Sequence, residues 1–308
     1  MLRSALIAAS RSAGCRTLVE RTPLLRPIVD RFVAGSDVDA AIRIAHELSR
    51  DRLVTLDHLG EDTLDRGQAE QTVEAYRTVL ARLADEGLGG RAEVSVKLSA
   101  LGQALPVDGD KIALDNTRRI CEAAAAAGTT VTVDMEDHTT TDSTLGIVRA
   151  LRVDFPGTGT VLQAYLKRTE ADCADFAGPG SRIRLCKGAY DEPASAAYRD
   201  RSEVDASYVR CLKVLMNGQG YPMVATHDTR LIDIAEHLAA EAGRARDTYE
   251  FQMLYGVRPQ VQEQLAGRGL RMRVYVPYGT EWYPYFMRRL GERPANLTFF
   301  LQALARRG

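Results

Sequence analysis

The feature that most constrains this chain is an alternation repeated eight times. Short runs rich in Val, Ile, Leu, Tyr and Thr occur at 53–56, 92–98, 130–135, 159–166, 183–186, 222–226, 249–254 and 272–276. Such runs read as buried strands. Between them lie segments with apolar residues at helical spacing, for example Val73, Tyr76, Leu80 and Leu83, or Leu231, Ile234, Ala235 and Leu238. Gly87, Gly128, Gly218 and Gly243 fall where these helices should stop. Parallel strands need crossover helices, so the alternation predicts an α/β protein with a parallel sheet. Eight such units in about 250 residues suit a closed (β/α)8 barrel of the TIM type. An open doubly wound sheet would usually carry GxGxxG after its first strand. Here the nearest glycine cluster, Gly87-Leu88-Gly89-Gly90, precedes a strand. An extra helix is expected at 36–50, which divides the chain into an N-terminal helical segment, 1–52, and a catalytic barrel, 53–308.

Composition narrows the function. The 308 residues carry 40 Lys and Arg against 41 Asp and Glu, with 45% hydrophobic content. That excludes a disordered chain and gives no electrostatic case for nucleic acid. No run reaches the roughly 18 apolar residues of a membrane span. The five cysteines are scattered without CxxC or zinc-type spacing, which suits a reducing compartment. Residues 1–19 contain Arg3, Arg11 and Arg16 and no acid. Their apolar part is too short for a signal peptide, so an amphipathic helix touching a membrane surface is expected.

Polar residues gather at the strand ends: Asp57 and His58; Lys97; Asp134 and Glu136; Gln163 and Tyr165; Arg184, Lys187 and Tyr190; Thr226, His227 and Asp228; Glu250, Gln252 and Tyr255; Tyr275 and Tyr278. In a barrel all C-terminal strand ends meet on one face, which holds the active site. Charges there must be paired or used; pairing of Glu136 with Lys97 or Arg184 is one expectation. After the eighth strand, Tyr285, Arg288, Arg289 and Glu292 share one helical face. A helix there can cross the barrel mouth, and adjacent arginines suit a carboxylate. Three other readings stay open from the residues alone. His58, His138 and His227 can in principle meet around zinc. Lys97 or Lys187 can serve as the Schiff-base lysine of an aldolase-like lyase. The barrel can also bind a small acid without catalysis.

The motifs Ser95-Val96-Lys97-Leu98-Ser99, Asp134-Met135-Glu136, Gln163-Ala164-Tyr165-Leu166, Arg184-Leu185-Cys186-Lys187-Gly188-Ala189-Tyr190, Ala225-Thr226-His227-Asp228, Tyr249-Glu250-Phe251-Gln252-Met253-Leu254-Tyr255-Gly256 and Tyr285-x-x-Arg288-Arg289-x-x-Glu292 occur in this order, nearly one per strand. Together they resemble the proline dehydrogenase family, in its monofunctional bacterial branch, from about Leu53 to Pro294. The resemblance implies a distorted (β/α)8 barrel holding FAD, which oxidises L-proline to 1-pyrroline-5-carboxylate and passes electrons to a membrane quinone. It also implies a separate 1-pyrroline-5-carboxylate dehydrogenase downstream, no nucleic-acid partner, and a cytoplasmic location with a peripheral position at the inner face of the plasma membrane. The missing GxGxxG then has a reason, since this family binds its dinucleotide without a Rossmann module.

By motif position, the resemblance assigns the proline carboxylate to Lys97, Arg288 and Arg289, with Tyr275, Tyr285 and Leu254 around the ring. Asp134 and Arg184 become the catalytic pair. Asp134 is expected beside Lys97, offsetting its charge, and Arg184 near the flavin N5. FAD is assigned to Met135, Gln163, Arg184, Lys187, Gly188, Ala189, Thr226, His227 and Glu292. No metal is implied and no proton acceptor is assigned. Two departures stand out: Cys186 where an aliphatic residue is expected, and Asp191-Glu192-Pro193 after Tyr190 in place of an aromatic continuation.

Overall fold

Each of the eight apolar runs forms a strand, and each strand pairs in parallel with its chain neighbours until the eighth closes on the first. The computed structural model describes residues 26–292, with side chains as far as Arg289. Its elements are α1 (Arg26–Val29), α2 (Val38–Leu48), β1 (Leu53–His58), α3 (Arg66–Asp85), β2 (Ala92–Val96), α4 (Gly109–Ala126), β3 (Val131–Val133), α5 (Thr141–Asp154), β4 (Gly159–Gln163), α6 (Thr169–Phe176), β5 (Arg182–Cys186), α7 (Arg201–Asn217), β6 (Tyr221–Ala225), α8 (Thr229–Glu241), β7 (Glu250–Leu254), α9 (Pro259–Gly267), β8 (Met272–Tyr278) and α10 (Trp282–Glu292). The helix expected within 1–19 lies outside the described residues.

The helix expected at 36–50 is α2, started by Asp37, whose side chain accepts from the Ala40 N–H at 2.8 Å. Strands two, three and four stop earlier than their apolar runs suggest. Leu98 turns into a short 3-10 helix over Ser99–Leu101, while the Tyr165 N–H bends away to the Lys187 carbonyl at 2.9 Å. Conversely β1 and β8 run on together, pairing Asp57 with Pro277 and His58 with Tyr278.

Alternate residues of each strand divide the interior in two. Val54, Leu56, Val94, Val96, Val131, Val133, Ile183, Leu185, Val224, Phe251, Val274 and Val276 join helix residues such as Tyr76, Leu80, Ile120 and Leu212 in one apolar core. The intervening residues meet inside the barrel, where bulky aliphatics are usual; here the lower layer is ionic. Glu93 accepts from Thr55 at 3.0 Å, from Thr132 at 3.2 Å and from Arg182 at 2.6 Å. Arg273 donates to Glu250 at 2.6 and 3.2 Å and to the Val54 carbonyl at 2.8 Å. Burial would raise the Glu93 pKa, but Arg182, Arg273 and Arg184 outweigh it and hold the carboxyl well below its usual range. Glu250 begins β7 and so belongs to this floor, not to the mouth where the sequence reading put it.

The mouth is roofed by both ends of the described chain. Ile28, Val29, Phe32 and Val33 pack with Tyr283, Tyr285, Phe286 and Met287 of α10. Residues 31–35 cross the ends of β7 and β8: the Ala34 N–H donates to the Pro277 carbonyl, and a Cβ on Gly256 would stand 1.8 Å from the Arg31 carbonyl oxygen. Only glycine fits that approach, and its φ of +71° suits glycine as well.

Candidate active site

The C-terminal strand ends and α10 enclose a cavity of about 640 Å³. Every site residue assigned from the sequence lines it except Glu292, whose side chain lies outside the described residues. β2, β3, β5 and β8 deliver Lys97, Asp134, Arg184 and Tyr275; β4, β6 and β7 deliver Gln163, Thr226, His227 and Leu254; α10 supplies Tyr285, Arg288 and Arg289.

Lys97 follows β2 directly, and its Nζ donates to both oxygens of Asp57, at 3.0 and 2.9 Å. Asp134 is more distant, at 3.8 Å. The expected offset of Lys97 by Asp134 is therefore supplied mainly by Asp57, near the end of the neighbouring strand β1. Burial alone would lower the Lys97 pKa; Asp57, Asp134 and Glu61 outweigh it and raise it above the ordinary lysine value. Lys97 is thus a fixed cation, whereas a Schiff-base lysine must offer a neutral amine. Lys187 forms ion pairs with Asp205 at 2.5 Å and Asp228 at 3.5 Å.

Asp134 has both oxygens occupied. One accepts from Ser95 Oγ at 2.7 Å and Arg184 at 2.6 Å; the other accepts from the Tyr275 hydroxyl at 2.7 Å. Burial, then the charges of Asp134 and Asp57, push the Tyr275 pKa far up, so the phenol keeps its proton. Arg184 is gripped on its other edge by Gln252, whose Oε1 accepts from Nε at 2.6 Å. Its Nη2 is buried with no hydrogen-bond partner among the described residues, 3.7 Å from Glu93.

On α10, Arg288 forms a two-pronged pair with Glu61, at 3.0 and 2.6 Å. Burial would raise the Glu61 pKa, but Arg288 and then Lys97 bring it below the usual value. The Arg289 guanidinium stands 5.2 Å from the Tyr285 ring centre.

Glu136 pairs with neither Lys97 nor Arg184, contrary to the sequence expectation. Its carboxylate turns to Ser99, accepting from the N–H at 3.0 Å and Oγ at 2.6 Å, and burial pushes its pKa up to about 7 against those bonds. The three histidines considered for zinc keep separate company. His58 stands edge-on to Tyr76 and Tyr278, His138 meets Glu192, and His227 Nε2 accepts the Leu254 N–H at 3.0 Å. Cys186 lines the cavity, and burial raises its thiol pKa to about 11.

Sequence reasoning missed several contributors. Asp57 was visible at a strand end but had no role, and Glu61 sits in a loop with no pattern to mark it. Arg201, Arg230 and Arg258 join Lys187 in the cavity wall. Arg201 and Arg230 open helices after β5 and β6, and Arg258 precedes α9. Helix starts after strands were the one available signal for them.

Comparison with known proteins decides what this cavity belongs to. Residues 41–302 match the family model described as Proline dehydrogenase. The chain belongs to the proline dehydrogenase family. Proline dehydrogenase 1 of Bacillus subtilis (strain 168) is 39% identical over 278 residues, covering 90% of each chain. Proline dehydrogenase of Deinococcus radiodurans is 41% identical over 280 residues, again 90% of each. Among solved structures, proline utilization A from Bdellovibrio bacteriovorus, inactivated by N-propargylglycine, superimposes with a TM-score of 0.79 at 26% identity. The match covers 86% of this chain and 32% of that one. This proline dehydrogenase thus shares its barrel with one segment of a much longer protein.

Proposed function

We propose that the barrel mouth of this FAD-dependent proline dehydrogenase holds L-proline and FAD in adjoining parts of one cavity. The reaction is oxidation of L-proline to 1-pyrroline-5-carboxylate. The observation that carries the substrate assignment is Lys97, buried yet kept charged, in the same wall as Arg288 and Arg289. These three cations bind the proline carboxylate. Asp57 and Glu61 balance two of them, so the site is not over-charged before substrate enters. Tyr275, Tyr285 and Leu254 enclose the apolar ring.

The residues fit FAD. Arg184 and Gln163 line the cavity as donors, and of the four further cations in its wall Lys187 and Arg230 are balanced by Asp205 and Asp228, while Arg201 and Arg258 add positive charge suited to phosphates. Met135, Gln163, Arg184, Lys187, Gly188, Ala189, Thr226, His227 and Glu292 are the residues that would hold it. When bound, FAD supplies the hydride acceptor. The protein's own part is to orient proline and favour loss of its ammonium proton, since neighbouring cations disfavour the charged amine. Asp134, already accepting from Ser95, Arg184 and Tyr275, acts by positioning the last two.

The electron acceptor in this reading is a membrane quinone, and the product passes to a separate 1-pyrroline-5-carboxylate dehydrogenase. A cytoplasmic protein in peripheral contact with the inner face of the plasma membrane suits such an acceptor. No helix among the described residues is long and apolar enough to cross a membrane. The carboxylate site is tested with L-prolinamide, which keeps the ring and amine and loses the anion. Its kcat/KM should fall at least about a hundredfold below that of L-proline. Equal turnover of the two would refute the three-cation clamp.

A further inference from the structure

Beside the cavity wall lies a buried carboxylate that the reaction leaves unused. Glu192, 4% exposed, follows the β5 end in the stretch that carries Lys187, Gly188, Ala189 and Tyr190. Its Oε1 accepts from the His138 N–H at 2.9 Å and from the Tyr165 hydroxyl at 3.3 Å, and Oε2 meets His138 Nδ1. One side chain therefore joins the segment after β5 to the turns after β3 and β4.

Tyr165 carries this link back toward the cavity. A Cβ on Gly188 would stand 2.2 Å from the Tyr165 ring, so the glycine backbone lies directly against that ring, at a φ of +109°. The Tyr165 N–H donates to the Lys187 carbonyl at 2.9 Å, and its own carbonyl accepts from the Tyr198 N–H at 2.8 Å. The segment from Lys187 to Glu192 is thus pinned at its start by a backbone bond to Tyr165. It is pinned at its end by Glu192, which holds the hydroxyl of the same tyrosine. Gly188, Ala189 and Tyr190, between the pins, line the cavity.

We propose that Glu192 is a positioning residue for the cofactor: by clamping Tyr165 and His138 it fixes the Lys187–Ala189 backbone that holds FAD. This rests on the assignment of FAD to that segment. Removing the carboxylate strands the half-buried His138 N–H and the buried Tyr165 hydroxyl, and the tyrosine ring loses the contact that keeps it under Gly188. Glutamine can replace it. Its carbonyl oxygen accepts from the same two donors, and its amide can donate to a neutral His138 ring.

The test is the rate of FAD release from purified holoenzyme after dilution, followed by flavin fluorescence at a temperature where circular dichroism shows each variant folded. Glu192→Ala should release FAD about tenfold faster or more, and Glu192→Gln should stay within about threefold of the native rate. A purely structural role would lower the melting temperature of Glu192→Ala and leave FAD release from the folded protein unchanged; that result overturns the proposal. If Glu192→Ala does not fold, Tyr165→Phe carries the test. It keeps the ring on Gly188 and removes only the clamped hydroxyl, and native FAD release there overturns the proposal equally. Lys187→Ala separates the two levels. Rapid release from it beside native release from Glu192→Ala contradicts the clamp alone. Native release from Lys187→Ala contradicts the assignment of FAD to the segment.

Discussion

The floor and the mouth of this barrel are built from the same residue types and do opposite things with them. In the floor, Glu93 and Glu250 meet Arg182 and Arg273 at 2.6 Å, and threonine hydroxyls take up remaining lone pairs. In the mouth, Lys97, Arg184 and Arg288 are each paired with a carboxylate, yet each also lines a cavity of about 640 Å³. A buried charge inside a barrel is thus no sign of function by itself. What distinguishes the mouth is that its cations are held ionised beside open space.

That contrast breaks most visibly at Arg273. Arg273→Met removes the partner of Glu250 and leaves a buried carboxylate uncompensated, at a cost of about 3–5 kcal/mol. Urea unfolding should record that loss, while the proline KM of the folded fraction stays within about threefold of native. A large KM change with native stability would erase the distinction between the layers.

Glu136 sharpens it, as a mouth carboxyl turned to a serine. Burial raises its pKa to about 7 from 4.5. Between those values the folded state holds a proton that the unfolded state has released. The stabilisation is therefore complete below about pH 4.5 and is lost as pH rises through about 7, on the order of 3 kcal/mol in all. Glu136→Gln should remove that component from the pH dependence of stability, measured by unfolding at pH 5 and pH 8.

Arg288→Met is the counterpart of Arg273→Met. Its partner Glu61 is 21% exposed and can rehydrate, so stability should change by about 1 kcal/mol or less. The proline KM should rise about ten- to a hundredfold through loss of a charge-assisted contact. Steady-state kinetics and a melting curve on the same preparation decide this. The smallest effect belongs to Cys186. With a thiol pKa of about 11, alkylation by iodoacetamide at pH 8 should be about a hundredfold slower than at a free cysteine.

Much of this architecture was legible in the sequence because one periodicity serves two purposes. The apolar members of each strand face the helices, so runs such as 92–98 announce themselves, and the residues between them must point into the barrel. Lys97, Asp134, Arg184 and Tyr275 are found that way. The same rule cannot tell floor from mouth when both are polar, which is why Glu250 was read at the wrong end. Pairing was less legible than placement. Asp57 and Lys97 neutralise each other across 40 positions, and Arg288 reaches back 227 positions to Glu61, a loop residue with no local signal. Glu136 shows the reverse: it follows Asp134 by two residues, but the turn after β3 sends its carboxylate to Ser99 and away from the cations.

The central claim is that cations held charged at the barrel mouth present L-proline to FAD. It is tested most directly by the visible spectrum of the purified holoenzyme under anaerobic conditions, titrated with L-proline. The account predicts an oxidised flavin spectrum that bleaches on addition of L-proline and bleaches at least about a hundredfold more slowly with L-prolinamide at the same concentration. A flavin spectrum that L-proline leaves unchanged would contradict it.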